Sequence, residues 1–548
     1  MRNAAAVLAL LLASLACNPN PSPAPSPEPL AADQTLSFPL AQDVADFDPA
    51  MLSSPADVDI LRNVFSGLYS WDDDLREVPD IATALPTISV DGLTYTFHLR
   101  TDARFSNGDA ITADDFLYSW NRAAARQGDF AGLFDLVAGY QQVAAGRTGQ
   151  MSGLARVDAS TFTATLVKRA GWFTTLVGLW PFWVVDQKVI AQAREEAWSA
   201  KADTLVGSGP FRMTARTPGQ SMDFEPVAGW YGVKKSGISG SLTRVHIQVM
   251  ADMATAVTQY ESGAFSLVGY GRQALPPDAA TRYVTDAKLK GRLSLVPLGS
   301  TFWIGFNLRT GPFAGDAGRP GRHAFSLAID RKALVQAVCN SGTSCDVATG
   351  GVVSKGLRGY LGDGQDHNVK FDARAAKDEY AAWDPGGAKV KGLTYAFDTN
   401  PFNKAVCANL QAQWKKNLGV DVACVEVDRK NFFDRRNACS YSMFRQSWTA
   451  DYDHPQDWFD YLFVSGATSS GSCYSNPNLD RVVAGADAAP LNATASDYRT
   501  AGYVLVNDTV FAGLLYGAQE YLVHPYVKGA GGNALYDFSW TEVRLVKV

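Results

Sequence analysis

The sequence predicts a mixed α/β protein built from two or three lobes, and three observations carry that reading. Strand-like and helix-like patterns alternate along the body of the chain, as they do where sheets and helices pack together. The chain has 548 residues, whereas a single domain usually holds roughly 100–200. It is 47% hydrophobic and 11% aromatic, with 19% charged residues and a formal net charge of −6. That composition supplies large cores and excludes global disorder, which goes with few aromatics and high net charge. The 49 Lys and Arg against 55 Asp and Glu leave no basic excess to displace counterions from phosphates, so a nucleic-acid partner is disfavoured.

Taken in order, the chain opens on an export signal. Met1-Arg2-Asn3 is short and singly positive, and residues 4–16 form an apolar run that stops at Cys17. A spanning helix needs roughly 20 apolar residues, so this run reads as a signal peptide over 1–16. Ser14-Leu15-Ala16-Cys17 resembles a bacterial lipobox, which implies a lipid on Cys17. Proline then occupies every second position from Pro19 to Pro29. Proline fixes φ and donates no hydrogen bond, so residues 17–33 read as an extended tether, its proline-rich stretch reaching roughly 40 Å at ~3.1 Å per residue.

In the body, residues 94–99 alternate apolar and polar side chains as a half-buried strand does. Thr112 and the acidic residues after it suit a helix N-terminus, with Phe116, Trp120 and Ala124 falling on one buried face. Gly207-Ser208-Gly209-Pro210 is a strong breaker. Residues 324–338, rich in Ala and Leu, read as one helix. Residues 393–397, 403–416 and 420–427 read as a β-α-β unit, and 441–449 as a strand. Six cysteines remain after Cys17, an even number that suits disulfides in an exported chain, with fifteen pairings open. About ten helical residues at 1.5 Å and five strand residues at 3.3 Å cover the same ~15 Å, which sets Cys407 level with Cys424. The other four are read in sequential order, Cys339 with Cys345 and Cys439 with Cys473. None of the spacings is CxxC, so a zinc or redox site is not expected.

The run from Gly92 to Arg122, GLTYTFHLRTDARFSNGDAITADDFLYSWNR, is similar to the signature of the extracytoplasmic oligopeptide- and dipeptide-binding proteins of ABC transporters. Phe47-Asp48-Pro49, LRNVFSGLY at 61–69, VGSGPF at 206–211, QYESG at 259–263, FNLRTGPF at 306–313, SLAIDR at 326–331, SWTADYDHPQDWF at 447–459 and YLVHPYVKG at 521–529 resemble further segments of that family, in its order. The resemblance implies a periplasmic-binding-protein type II fold: lobe I from 34–71, 202–299 and 515–548, an additional domain over 72–201, and lobe III over 300–514. It implies an extracytoplasmic, lipid-anchored monomer, in the periplasm or at the cell surface. Such a protein binds short peptides in a closable cleft and hands them to an ABC permease, without a cofactor or metal.

A buried peptide needs an anion for its ammonium and an arginine fork for its carboxylate, because unpaired charges are costly away from water. By the resemblance, Asp451 falls on the aspartate that meets the peptide amine. Arg445 falls on an arginine that meets the carboxylate in oligopeptide-binding members. Six extended residues separate the two, at most about 20 Å, which accommodates three to five peptide residues. Trp448 and Tyr452 flank Asp451 and are candidates for a pocket wall. Asp43 falls where members carry an acidic residue near the ligand, and Tyr516 is a candidate returning to the cleft on the closing strand. Asp451, Asp453, Asp457 and Asp460 lack the spacing of a calcium loop and read as a solvated acidic turn. The chain shows no G-x-S-x-G, HExxH or P-loop, and its six histidines are scattered, so an enzyme is disfavoured. A nickel complex, an oligosaccharide or an opine remains an alternative ligand on the same fold.

Overall fold

The computed structural model describes residues 28–547 except 194–196, 235–239, 468 and 492–494. The signal segment, Cys17 and most of the tether lie outside the described residues. The end of the expected tether is already part of the fold. Leu30 bridges Val546, Ala31 N donates to Leu545 O at 2.9 Å, and the Gln34 side chain donates to Leu545 O at 2.8 Å.

Three larger sheets organise the body. In the first, Thr35–Leu40 pairs in parallel with Arg244–Val249, which continues antiparallel to Ser221–Pro226 and Phe211–Thr217. In the second, Thr87–Ile88, Thr94–His98, Thr161–Thr165 and Leu154–Asp158 form an antiparallel sheet. The helix Ala113–Arg126 covers it. Thr112 and Asp115 close a capping box, and Phe116, Trp120 and Ala124 are fully buried against partners such as Phe97 and Phe162.

The third sheet has seven strands in the order Leu267–Val268, Phe511–Val523, Leu293–Phe306, Met443–Thr449, Thr394–Asp398 and Ala423–Val427, with Cys345–Val347 also paired to Phe511–Val523. Two long strands, Leu293–Phe306 and Phe511–Val523, run antiparallel through its middle. Their register breaks between Pro297 and Thr301. At that break Gly299 N donates to Ala534 O at 2.6 Å and Gly299 O accepts from Ala450 N at 2.8 Å. Backbone groups released from the ladder are thus satisfied by other segments, which is the usual cost and use of a bulge.

The β-α-β unit forms around Pro401–Leu418, capped by the Asn400 side chain and ended by Gly419 in the left-handed region. Disulfides join Cys339–Cys345, Cys407–Cys424 and Cys439–Cys473, with Cα separations of 5.5, 6.0 and 6.1 Å. These are the three pairings the sequence suggested. One helix differs. Residues 324–338 are split into Gly315–Leu327 and Arg331–Val338, because the Asp330 side chain accepts from Ala333 N and starts a new helix. The Gly207-Ser208-Gly209 loop lies directly on the end of the helix Pro55–Leu61. Gly209 N donates to Val64 O at 2.8 Å, and a Cβ at Gly209 would fall 2.6 Å from Val64 C. No helix of the described residues is long and apolar enough to cross a membrane.

Candidate functional site

The strand Met443–Thr449 ends at the register break, and the chain then turns through Ala450–Pro455 into the helix Gln456–Leu462. The turn expected to be solvated is instead buried, with Asp453 at 2% and Asp457 at 0% exposure. Partners from distant segments explain the difference. Asp453 accepts from Arg358 N at 2.6 Å and pairs with Arg358 Nε at 3.1 Å. Asp457 Oδ2 accepts from Trp448 Nε1 and from Asp451 N, both at 3.1 Å, while its Oδ1 has no hydrogen-bond partner. Burial and the nearby Asp451 charge push the Asp457 carboxyl well above the usual carboxylate range.

Asp451 itself is partly buried, and its carboxylate makes no hydrogen bond or direct ion pair among the described residues. Burial raises its pKa to about 6, opposed by the positive field of Arg272. A desolvated carboxylate without a donor is unfavourable, so the position is suited to an incoming cation.

Arg272 belongs to the turn after Leu267–Val268, on the far side of the sheet order from Met443–Thr449. Its Nε lies 3.4 Å from Asp59 Oδ2, with the Arg272 side chain 16% exposed and Asp59 fully buried. Asp59 Oδ1 accepts from Asp537 N at 3.0 Å, and Asp537 accepts from Gly271 N and Tyr521 Oη. Burial and the Asp59 charge raise Asp537 to about 7.

The other expected site residues have partners of their own. Arg445 is buried, with Nε and Nη2 on Asp398 and Nη1 donating to Ser447 Oγ at 3.0 Å. Its guanidinium also lies 5.1 Å from the Phe432 ring and 5.3 Å from the Phe433 ring. The fork that the resemblance assigns to a ligand carboxylate is thus paired with Asp398 in this structure. Asp43 Oδ2 accepts from Arg216 Nη2 at 3.1 Å and Gly219 N at 2.8 Å, which pins the hairpin turn between Phe211–Thr217 and Ser221–Pro226. Tyr516 Oη donates to Gly351 O at 2.7 Å and accepts from Gly350 N at 3.0 Å, in a buried setting. Tyr452 is buried and stacked on Trp172 at 6.1 Å. Trp448, half-buried and stacked on Tyr461 at 5.9 Å, is the flanking aromatic that stays next to Asp451, through Asp457.

A hollow of about 500 Å³ lies elsewhere, lined by Arg62, Tyr69, Trp71, Trp183, Trp230 and Glu542 among others. Asp451 and Arg272 are not among its lining residues. No group of His, Cys, Asp or Glu suited to hold a metal occurs among the described residues.

The family described as bacterial extracellular solute-binding proteins, family 5 Middle, matches residues 76–470. The chain belongs to this family. Among family 5 relatives, the periplasmic murein peptide-binding protein MppA of Escherichia coli is 26% identical over 526 residues, covering 94% of each chain. The periplasmic oligopeptide-binding protein OppA of Escherichia coli is 24% identical, covering 93% of this chain and 92% of its own. Among solved structures, the unliganded open form of MppA matches with a TM-score of 0.83 at 25% identity, covering 96% of this chain and 99% of that one. OppA of Listeria monocytogenes bound to peptide matches with a TM-score of 0.66 at 23% identity, covering 94% of this chain and 100% of that one. The fold is thus the type II periplasmic-binding-protein fold, and the family is one of binding proteins rather than enzymes. Within the family 5 frame, the charged residues around the Ala450–Pro455 turn and its neighbours that sequence reasoning did not single out are Arg272, Asp59 and Arg358. The one local signal for Arg272 was its place directly after Gly269-Tyr270-Gly271, a glycine-bracketed turn.

Proposed function

We propose that this family 5 protein captures short peptides by their free amino terminus and delivers them to an ABC permease. The observation that carries the reading is the partly buried Asp451 carboxylate, which has no hydrogen-bond donor or ion-pair partner of its own among the described residues. An ammonium placed there supplies both the missing hydrogen bonds and the missing charge, an interaction worth more than in water because the site is partly desolvated. The names of the relatives MppA and OppA, which specify murein peptides and oligopeptides, support the same ligand class.

The lobes proposed are 34–71 with 202–299 and 515–548, the additional domain 72–201, and 300–514. This division sets Asp451 and Arg272 on different lobes, joined by the two long strands whose register breaks near residue 299. The chain matches the open form of MppA at a TM-score of 0.83 and a second MppA structure at 0.68, which supports taking the present arrangement as an open one. Ligand then favours closure only through contacts made to both lobes at once. A lipid on Cys17 and an extracytoplasmic, monomeric working form complete the proposal.

The test is calorimetric binding of trialanine and N-acetyl-trialanine at pH 7.5. The free amine is expected to bind at least about 30-fold tighter, since truncating one partner of a buried charge pair costs about 2–5 kcal/mol. Equal affinities would reject the role given to Asp451.

A further inference from the structure

The peptide reading makes no use of the hollow of about 500 Å³. Its lining residues fall within 62–80, 183–230 and 529–542, and none within 300–514, the segment that carries Asp451. By the lobe division above, it lies where lobe I meets the additional domain. The chain crosses there through the hairpin of Tyr69–Trp71 and Glu77–Pro79, and both strands contribute to the wall. The volume is that of a small-molecule pocket, roughly 300–1,000 Å³.

The wall combines aromatic rings with carboxylates. Trp71, Trp183 and Trp230 line it, and each indole is fixed by contacts of its own. Trp71 stacks on Tyr536 at 5.2 Å, and a Cβ at Gly178 would fall 2.7 Å from its Cζ2. Trp183 stacks on Phe65 at 6.5 Å and donates from Nε1 to Gly178 O at 3.0 Å. Trp230 Nε1 donates to Ser208 O at 3.2 Å. Rings held in this way lose little freedom when a ligand arrives. The charged lining residues are four carboxylates, Asp72, Asp73, Asp80 and Glu542, against one guanidinium, Arg62. Arg62 is engaged elsewhere, 4.6 Å from the Tyr536 ring centroid and with Nη1 donating to Asp537 O at 3.0 Å. Asp72 is paired with Arg76 Nε at 3.1 Å. The exposed Asp73 carboxylate makes no hydrogen bond or ion pair among the described residues. Burial raises the Glu542 carboxyl above its ordinary range, the Asp73 charge adds to the shift and Arg62 opposes it.

We propose that this hollow is a second ligand site, selective for small organic cations with an alkylated ammonium head. A ring face attracts a cation through its quadrupole, and indole does so most strongly. An alkylated ammonium has few N–H donors or none, so an aromatic wall takes it up without stranding polar groups. A bare ammonium or a metal ion is held more tightly by water and loses more on entering. The surplus of carboxylates draws cations in and disfavours anions. A neutral molecule of the same shape keeps the apolar contact and loses both charge contributions. The site is thus distinct in chemistry from the amine site, where a single carboxylate meets a primary ammonium by hydrogen bonds.

The experiment is calorimetric titration of the full chain with choline, benzyltrimethylammonium and 3,3-dimethylbutanol, the uncharged carbon isostere of choline, each with and without saturating trialanine. Choline is expected to bind about tenfold tighter than its isostere. Benzyltrimethylammonium is expected to bind tighter still, because it covers more of the wall, and trialanine is expected to leave both affinities unchanged. Trp230→Leu is expected to weaken choline about tenfold while trialanine binds as it does to wild type. Should Trp230→Leu fail to fold, Asp73→Asn alters only an exposed side chain and is expected to weaken choline about threefold, with the isostere unaffected. The proposal is overturned if choline and its isostere bind alike, if neither cation binds, or if every folded variant of the two binds choline as wild type does. Displacement of choline by trialanine also overturns it, since the cation would then occupy the amine site. Failure of trialanine to bind, with choline binding and its dependence on Trp230 or Asp73 retained, would instead overturn the peptide reading and leave the second site standing.

Discussion

Two charged regions along and just beyond the strand Met443–Thr449 differ in how far their charges are paired within the fold. At Arg445 the charges are complete: Asp398 takes Nε and Nη2, Ser447 takes Nη1, and Arg429 adds a second cation 3.5 Å from Asp398. At Asp451, six residues later, the carboxylate has no donor and feels Arg272 only through its field. The two residues look alike in sequence, each a charge on a motif next to aromatics. A charge whose partners are supplied by its own fold acts as structure, whereas one whose partners are withheld is available to a ligand.

The comparison can be broken at its structural end first. Asp398→Ala strands Arg445 in the interior and is expected to cost about 3–5 kcal/mol of stability, read by chemical denaturation. Undiminished stability would remove the contrast. At the ligand end, Asp451→Asn is expected to weaken free-amine peptides by about 100-fold, or ~2.7 kcal/mol, while raising the stability of the empty protein. The sign follows from linkage. The folded pKa of about 6 lies above the ordinary 3.8, so the folded state binds the proton more tightly between those values. The penalty is absent below about 3.8 and complete above about 6. The stability advantage of the variant should therefore grow from pH 4 to pH 6 and then level off in thermal melts.

A smaller effect sharpens the account of the lobes. Arg358 joins Asp453 to Glu77, with Nη1 and Nη2 at 2.9 and 2.8 Å from the Glu77 oxygens and Nη2 2.7 Å from Leu75 O. This contact links the proposed segments 72–201 and 300–514. Arg358→Ala is expected to lower stability by about 1.5–3 kcal/mol, with ligand discrimination at the amine unchanged. Changed discrimination in equilibrium titrations would mean that the contact shapes the site itself.

Local features were legible because their causes are local. The capping box at Thr112, the alternation over 94–98 and the level placement of Cys407 with Cys424 need only a turn or two of chain. The order of family-like segments carried the fold. Reading failed where distant partners decide. One failure was local: residues 324–338 split because the Asp330 side chain accepts from Ala333 N and caps a new helix. The acidic turn is buried because Trp448 and Arg358 reach it. The partner of Arg445 was not legible because Asp398, forty-seven positions away, is its neighbour only across the sheet. Arg272 stayed invisible because the strand pairing of Leu267–Val268 with Leu522–Val523 sets the position of its turn.

The central claim, that Asp451 meets a ligand ammonium, is tested most directly by proton release. Trialanine is titrated into wild type and Asp451→Asn at pH 6 in two buffers of different ionisation enthalpy. Wild type is expected to release about half a proton per ligand, because a carboxyl that is half protonated near its pKa becomes fully ionised when paired, and the variant is expected to release none. Identical heats in both buffers for wild type, with both proteins binding equally well, would contradict the account.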